Sequence, residues 1–154
     1  MNWPDPPDTS ASPNPLALDG QLCFALYAAH LGMNRVYRQA LAGLDLTYPQ
    51  YLVMLVLWEG DGLRVSDICQ RLMLDTATLT PLLKRLEVRG LLTRQRATHD
   101  ERQVLVTLTD SGRSLRQQAL DVPGCIHAAL QCSPQDLAAL RDPLIALRQR
   151  LDAQ

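Results

Sequence analysis

Three observations predict a mainly α-helical fold carrying a small β-hairpin. Apolar residues recur at helical spacing twice in succession, as Val65, Ile68, Cys69 and Leu72 and then as Leu79, Leu82, Leu83, Leu86 and Leu91. The joint between them, Met73-Leu74-Asp75-Thr76, is so short that the two helices must pack at a steep angle, which is helix-turn-helix geometry. Beyond Gly90, placed for a left-handed C′ position, the period changes to two. Leu92–Arg96 and Gln103–Leu108 read as strands around a polar turn over residues 97–102. Helix, turn, helix and an arginine-rich hairpin make a winged helix-turn-helix over residues 63–112, a module that reads double-stranded DNA.

Charge agrees. Between Leu63 and Arg116 stand ten Lys and Arg against six Asp and Glu, a local charge of +4 in a chain of net charge −1. A phosphate-binding surface needs local positive charge and is indifferent to the global balance. Thr76, Thr78, Thr80 and Lys84 on the second helix are expected to face the major groove. Arg94, Arg96 and Arg102 are expected to reach the minor groove or the phosphates from the wing, with Asp100 orienting Arg102.

The 154 residues make one domain by length, with chain enough for a core. The reading is an N-terminal arm over 1–17 and a single domain over 18–154. Within it, 18–62 holds the N-terminal helices and dimer contacts, 63–112 reads DNA, and 113–154 dimerises. No secretory or membrane segment is visible, and the longest apolar run, Tyr51–Trp58, is far short of a span. The cytoplasm is the expected location. Four cysteines without a C-x-x-C pair argue for thiols rather than a zinc site there. Neither metal nor cofactor is expected, nor is an enzyme.

Residues 1–15 hold five prolines, three Ser or Thr and two acids, the composition of a disordered arm. Asp19 is the expected N-cap of a long helix from about Gly20 to Leu44. Along it, Leu22, Leu26, Ala29, Met33, Val36 and Ala40 form an apolar face that requires burial. Cys23, Tyr27, His30, Asn34 and Tyr37 form a polar, reactive stripe beside it. Both faces together suit contact with a second copy of the chain. Cys23 falls in the first turn, where unpaired N–H groups and the helix dipole favour an anion, an effect that Asp19 opposes. Taken alone, a single helical cysteine is more often a small buried hydrophobe.

The next helix opens on a capping box, Thr47-Tyr48-Pro49-Gln50, and is apolar nearly all round to about Gly60. After the wing, Thr109 caps a helix to about Leu120. Pro123-Gly124 disturbs it, and helix resumes from Cys125 to Leu130. Ser133-Pro134 starts the last helix, whose Leu137, Leu140, Leu144, Leu147 and Leu151 form a stripe that reads as a dimer surface, kinked at Pro143.

With these residues placed, the chain resembles the MarR family of winged-helix regulators, and within it the organic hydroperoxide sensing repressors. The run Asp100-Glu101-Arg102 followed by LVTLTDSG carries the family pattern. QLCFALY, LDLTYPQYLVMLVLWE and LDTATLTPLLKRLE carry that of the branch. The resemblance is close over about residues 18–120. It implies that Cys23 is the peroxide-reactive residue and that Tyr37 and Tyr48 hydrogen-bond its thiolate. Tyr27, on the Cys23 stripe, is a third candidate partner. It also implies a homodimeric repressor on an inverted-repeat operator, released when an organic hydroperoxide oxidises Cys23. Tyr37 lies 14 residues beyond Cys23, or about 21 Å along one helix, so such a pair meets only across a twofold axis. Phenol hydrogen bonds to a thiolate are worth about 1.5–3 kcal/mol each, and oxidation removes the charge that strengthens them.

The departure is at the C-terminus. The two-cysteine members of the branch carry a resolving cysteine, and an ungapped comparison puts Ala128 in its place. Cys125 and Cys132 flank that position on one helical face. Spacing does not choose between them, and the turn beside Cys132 tips the reading slightly its way. Three other readings compete. One is a regulator of the same family responding to a small phenolic or other ligand, with Cys23 incidental. Another is a thiol peroxidase, for which the Thr-x-x-Cys motif before Cys23 is missing. The third is a winged helix used only for protein contact, against which the arginine-rich wing speaks.

Overall fold

The computed structural model describes residues 14–97 and 103–154. The chain divides into two compact units, one through Arg35 and one from Val36 to Gln154. In the first, a 3-10 turn over Leu18–Gly20 leads into α1, Leu22–Ala40, which continues into the second unit. The Gln21 side-chain amide donates to the carbonyls of Pro15 (2.8 Å) and Ala17 (3.2 Å) and ties down the entry to the helix. No residue of α1 is buried, and Leu22 is 59% exposed.

The second unit is built around α2 (Tyr48–Glu59), α3 (Val65–Leu72) and α4 (Thr76–Val88). Thr47 starts α2 as a capping box: its N–H donates to the Gln50 side chain at 2.9 Å, and the Gln50 N–H donates back to its hydroxyl. Nearly every face of α2 is apolar, so Val53, Met54, Val56 and Leu57 are all buried. Met73, left-handed at φ 56°, ends α3, and Asp75 caps α4 by accepting from the Thr78 N–H at 2.6 Å. Ile68, Leu79, Leu83 and Leu86 close the core with Leu92 and Val106.

Gly90, at φ +70°, turns the chain from α4 into the sheet. Strands β1 (Leu63–Arg64), β2 (Leu92–Arg96) and β3 (Val104–Leu108) pair antiparallel in the order β1-β3-β2, with Leu92 opposite Leu108 and Leu63 opposite Val106. Thr109 then caps α5, Asp110–Ala119. Gly112, in its first turn, crosses β2 so closely that a Cβ would meet the Leu91 carbonyl oxygen at 1.9 Å. The Gly112 carbonyl accepts from the Trp58 indole at 2.9 Å, which fastens α5 to α2. Helices α6 (Val122–Leu130) and α7 (Pro134–Asp152) complete the chain, with Leu140 on α7 61% exposed.

Asp61 joins the base of the wing to α5. One carboxylate oxygen accepts from the Gly62 and Leu108 N–H groups, both at 2.8 Å, and the other from Arg113 at 2.9 Å. Burial works against the charge, but these donors outweigh it and hold the carboxyl below its ordinary range. Asp61→Ala, which strands the Leu108 N–H, is expected to cost about 1–3 kcal/mol in urea unfolding. Because the folded carboxyl is depressed, its charge contributes above the unfolded carboxyl's pKa and is lost as pH falls through the folded value. Asp61→Asn keeps an acceptor for the N–H groups and is expected to cost less and to remove that pH dependence.

Several expectations need correction. Asp19 lies inside a 3-10 turn rather than capping α1, and α1 stops at Ala40, after which Ala42–Leu44 tighten into another 3-10 turn closed by left-handed Asp45. The wing has a third strand, β1, too short to show a period. Pro123 does not interrupt a helix. It fits the first turn of α6, which starts at Val122 because a proline there forfeits no helical hydrogen bond. On the apolar stripes, Leu22 and Leu26 of α1 and Leu140, Leu144 and Leu151 of α7 are exposed.

Candidate functional site

The exposed side of α4 is a consequence of its sequence. Leu79, Leu83 and Leu86 turn inward, leaving Thr76, Thr78, Thr80 and Lys84 exposed. Pro81 has no N–H for the helix ladder, and Thr80 donates its hydroxyl to the Thr76 carbonyl at 2.7 Å. Thr76 and Thr80 line a groove of about 350 Å³ with Arg64, Ser66 and Arg94, between α4 and the base of the wing. Lys84 lies outside it and lines a larger cleft on the other flank of α4.

The two described wing arginines differ. Arg96 is exposed. Arg94 is held on Glu87, its guanidinium donating to Oε2 at 2.9 and 2.6 Å and its backbone N–H to Oε1 at 2.9 Å. These Arg94 hydrogen bonds hold the Glu87 carboxyl below the usual range despite its desolvation. Arg94 therefore locks the wing to the end of α4. Asp100 and Arg102 lie outside the described residues. Arg94→Ala is expected to lower stability by about 1.5–3 kcal/mol, the scale of charged hydrogen bonds. Arg96→Ala is expected to leave the melting temperature unchanged and to weaken DNA binding, so thermal and binding titrations separate the two.

Cys23 is an exposed free thiol in the first turn of α1. Tyr27, one turn on, is exposed and lies 6.5 Å from Phe24 between ring centroids. In the second unit, the Tyr37 and Tyr48 rings lie 4.2 Å apart between centroids, tilted by 36°, and Tyr51 stands 6.1 Å from Tyr37. Burial, reinforced by the neighbouring phenols, pushes Tyr37 up to about 12, and burial raises Tyr48 as well. Cys125 is an exposed thiol on α6. Cys132, half-buried between α6 and α7, donates to the Leu130 carbonyl at 3.2 Å. Sequence reasoning missed Glu87 and Asp61, and it noted Tyr51 only as a phenol at the start of α2, with an interface or core role. Only the apolar surroundings of Tyr51 and the i, i+7 pairing of Glu87 with Arg94 left any trace in the sequence.

Together, the helix-turn-helix, the wing locked to its second helix and the exposed threonines of α4 define a winged-helix transcriptional regulator. A family model described as the transcriptional regulator SarA/Rot matches residues 35–119. The organic hydroperoxide resistance transcriptional regulator of Bacillus subtilis (strain 168) is 45% identical over 88% of this chain and 92% of its own length. The HTH-type transcriptional regulator TtmR of Methylorubrum extorquens (strain PA1) is 49% identical over 92% of this chain and 72% of its own. Among solved structures, reduced AbfR bound to DNA is 37% identical with a TM-score of 0.70, covering 88% of this chain and 92% of that one. AbfR, from Staphylococcus epidermidis, has also been solved in a disulfide form, which is 38% identical with a TM-score of 0.59 over 84% of this chain and 91% of that one. The chain belongs to this family of MarR-like winged-helix transcriptional regulators. Its resemblance to the organic hydroperoxide branch extends over nearly its whole length.

Proposed function

We propose that the protein is a cytoplasmic, homodimeric repressor that binds an inverted-repeat operator and releases it when an organic hydroperoxide oxidises Cys23. The observation that carries this reading is the tyrosine pair. Tyr37 and Tyr48 lie 4.2 Å apart between ring centroids, and burial holds both phenols above their ordinary range, so both keep a proton to donate. Such a pair suits a thiolate as acceptor. The exposed apolar stripes of α1 and α7 support a second copy of the chain as the partner that supplies it. Two recognition helices related by a twofold axis then read half-sites about one DNA turn apart.

The chemistry balances without a cofactor. The Cys23 thiolate attacks the distal peroxide oxygen, the O–O bond breaks, and with one proton the products are a sulfenic acid and an alcohol. A second thiol, Cys125 or Cys132, then displaces water to form a disulfide. Greater exposure favours Cys125, and position beside a turn favours Cys132. Each of the variants Cys125→Ser and Cys132→Ser removes one of them. The test is release from DNA selected out of a random pool: reduced protein binds it, and cumene hydroperoxide abolishes the complex until a thiol reductant is added. Binding that is indifferent to the peroxide would refute the sensor role and leave the DNA-binding role standing.

A further inference from the structure

Met73 stands at the joint between α3 and α4 with its backbone left-handed at φ 56°. The next N–H, that of Leu74, closes the joint by donating to the Cys69 carbonyl at 3.0 Å, and Asp75 then caps α4. Met73 is 65% exposed, whereas Met54 is wholly buried. Its sulfur nevertheless has a polar neighbour from far along the chain. Arg148 on α7 donates an Nη1 N–H to the Met73 Sδ at 2.9 Å. A guanidinium has five donors and a thioether is a weak acceptor. The ion pair of Arg148 with Asp152, one turn along α7, is loose at 3.7 Å. A strong donor is therefore aimed at an atom that makes poor use of it.

Oxidation corrects that mismatch. The sulfur has two lone pairs; Arg148 engages one, and the exposed side leaves the other to attack the distal oxygen of an organic hydroperoxide. An S–O bond forms, the O–O bond breaks, and the hydroperoxide proton passes to the leaving alkoxide oxygen. The products are methionine sulfoxide and an alcohol. The sulfoxide oxygen carries partial negative charge, accepts hydrogen bonds well, and lies one bond from a sulfur that the guanidinium already touches. We propose that Met73 is a second oxidation site of this chain, and that its sulfoxide, held by Arg148, ties α7 to the joint of the helix-turn-helix. The proposal takes its oxidant class from the reading above and rests on it to that extent, but it does not pass through Cys23. The tie stiffens the joint without opening it, and it is reversible because methionine sulfoxide can be reduced back.

The test uses the full-length Cys23→Ser chain, so that the sensor thiol takes no part, treated with tert-butyl hydroperoxide. Peptide mass spectrometry is expected to find one added oxygen on Met73 while Met54 stays a thioether. Amide exchange of Leu74, whose N–H closes the joint, then reads the tie. A hydrogen bond to a charged donor is expected to slow it by about tenfold after oxidation. Arg148→Ala should abolish the slowing, and methionine sulfoxide reductase should reverse it. Met73→Gln, which brings an amide oxygen to the same place, should slow the exchange without oxidant. The inference fails if Met73 keeps its thioether at a hydroperoxide concentration that oxidises a free methionine peptide. It fails equally if oxidised Met73 leaves Leu74 exchange unchanged, or slows it just as much in Arg148→Ala. DNA binding by the parent chain that is indifferent to peroxide refutes the sensor role of Cys23 and leaves these outcomes as they stand.

Discussion

Cys23→Ser is expected to bind operator as the parent does and to keep it when an organic hydroperoxide is added. Serine preserves the size and a hydroxyl, and an exposed position in the first turn of α1 gives the fold nothing to lose. A hydroxyl cannot become a sulfenic acid, so the switch has no input. The loss is complete rather than graded: the parent releases its DNA at peroxide concentrations where the variant stays bound. Tyr37→Phe and Tyr48→Phe should act more mildly, still binding DNA when reduced but reacting more slowly with peroxide, because each removes a donor that stabilises the thiolate. Normal release by Cys23→Ser would favour a small-ligand regulator instead.

Gly112→Ala is the largest expected effect on folding. The added methyl would fall 1.9 Å from the Leu91 carbonyl oxygen and 3.0 Å from its carbon, with the Leu108 side chain at 3.1 Å. Both main obstacles are backbone at the start of β2, so no rotamer change relieves the clash. The Leu91 carbonyl is also held by the Thr109 N–H at 3.1 Å, and the Gly112 carbonyl by Trp58. Moving α5 away therefore loosens the wing and breaks the tie to α2. We expect a loss of about 2–4 kcal/mol and a melting temperature lower by roughly 5–15 °C. Gly124→Ala is the control: it is also helical, nothing lies within 4 Å of its added Cβ, and it should be neutral or gain about 0.5–1 kcal/mol. Equal melting temperatures for the two variants would refute the close-approach argument.

The helices were legible where their stability comes from one periodic face. Val65 to Leu72 and Leu79 to Leu86 announce α3 and α4, the Asp75-Thr76 joint and Gly90 mark where α4 starts and ends, and the Thr47 capping box marks the start of α2. β1 was not legible, because two residues carry no period and their pairing with Leu105 and Val106 is decided by the sheet. Arg94 shows the limit for sites. In the sequence it is one wing cation among three, and only the fold reveals the Glu87 carboxylate that holds it. Asp61 was hidden for the same reason, since its partners Leu108 and Arg113 lie 47 and 52 residues away. The sensor residues became legible through family resemblance, since an isolated helical cysteine has no pattern of its own. The cleft beside α4 left no trace in the sequence because its lining residues, from Arg38 to Arg89, are spread along the chain and share one cleft only in the fold.

Mass spectrometry of the protein at the point where peroxide has released half of its DNA tests the central claim most directly. The account predicts oxygen on the Cys23 sulfur, or a disulfide from Cys23 to Cys125 or Cys132, in about half of the chains, with Cys69 a free thiol. Release with Cys23 still a free thiol would contradict it.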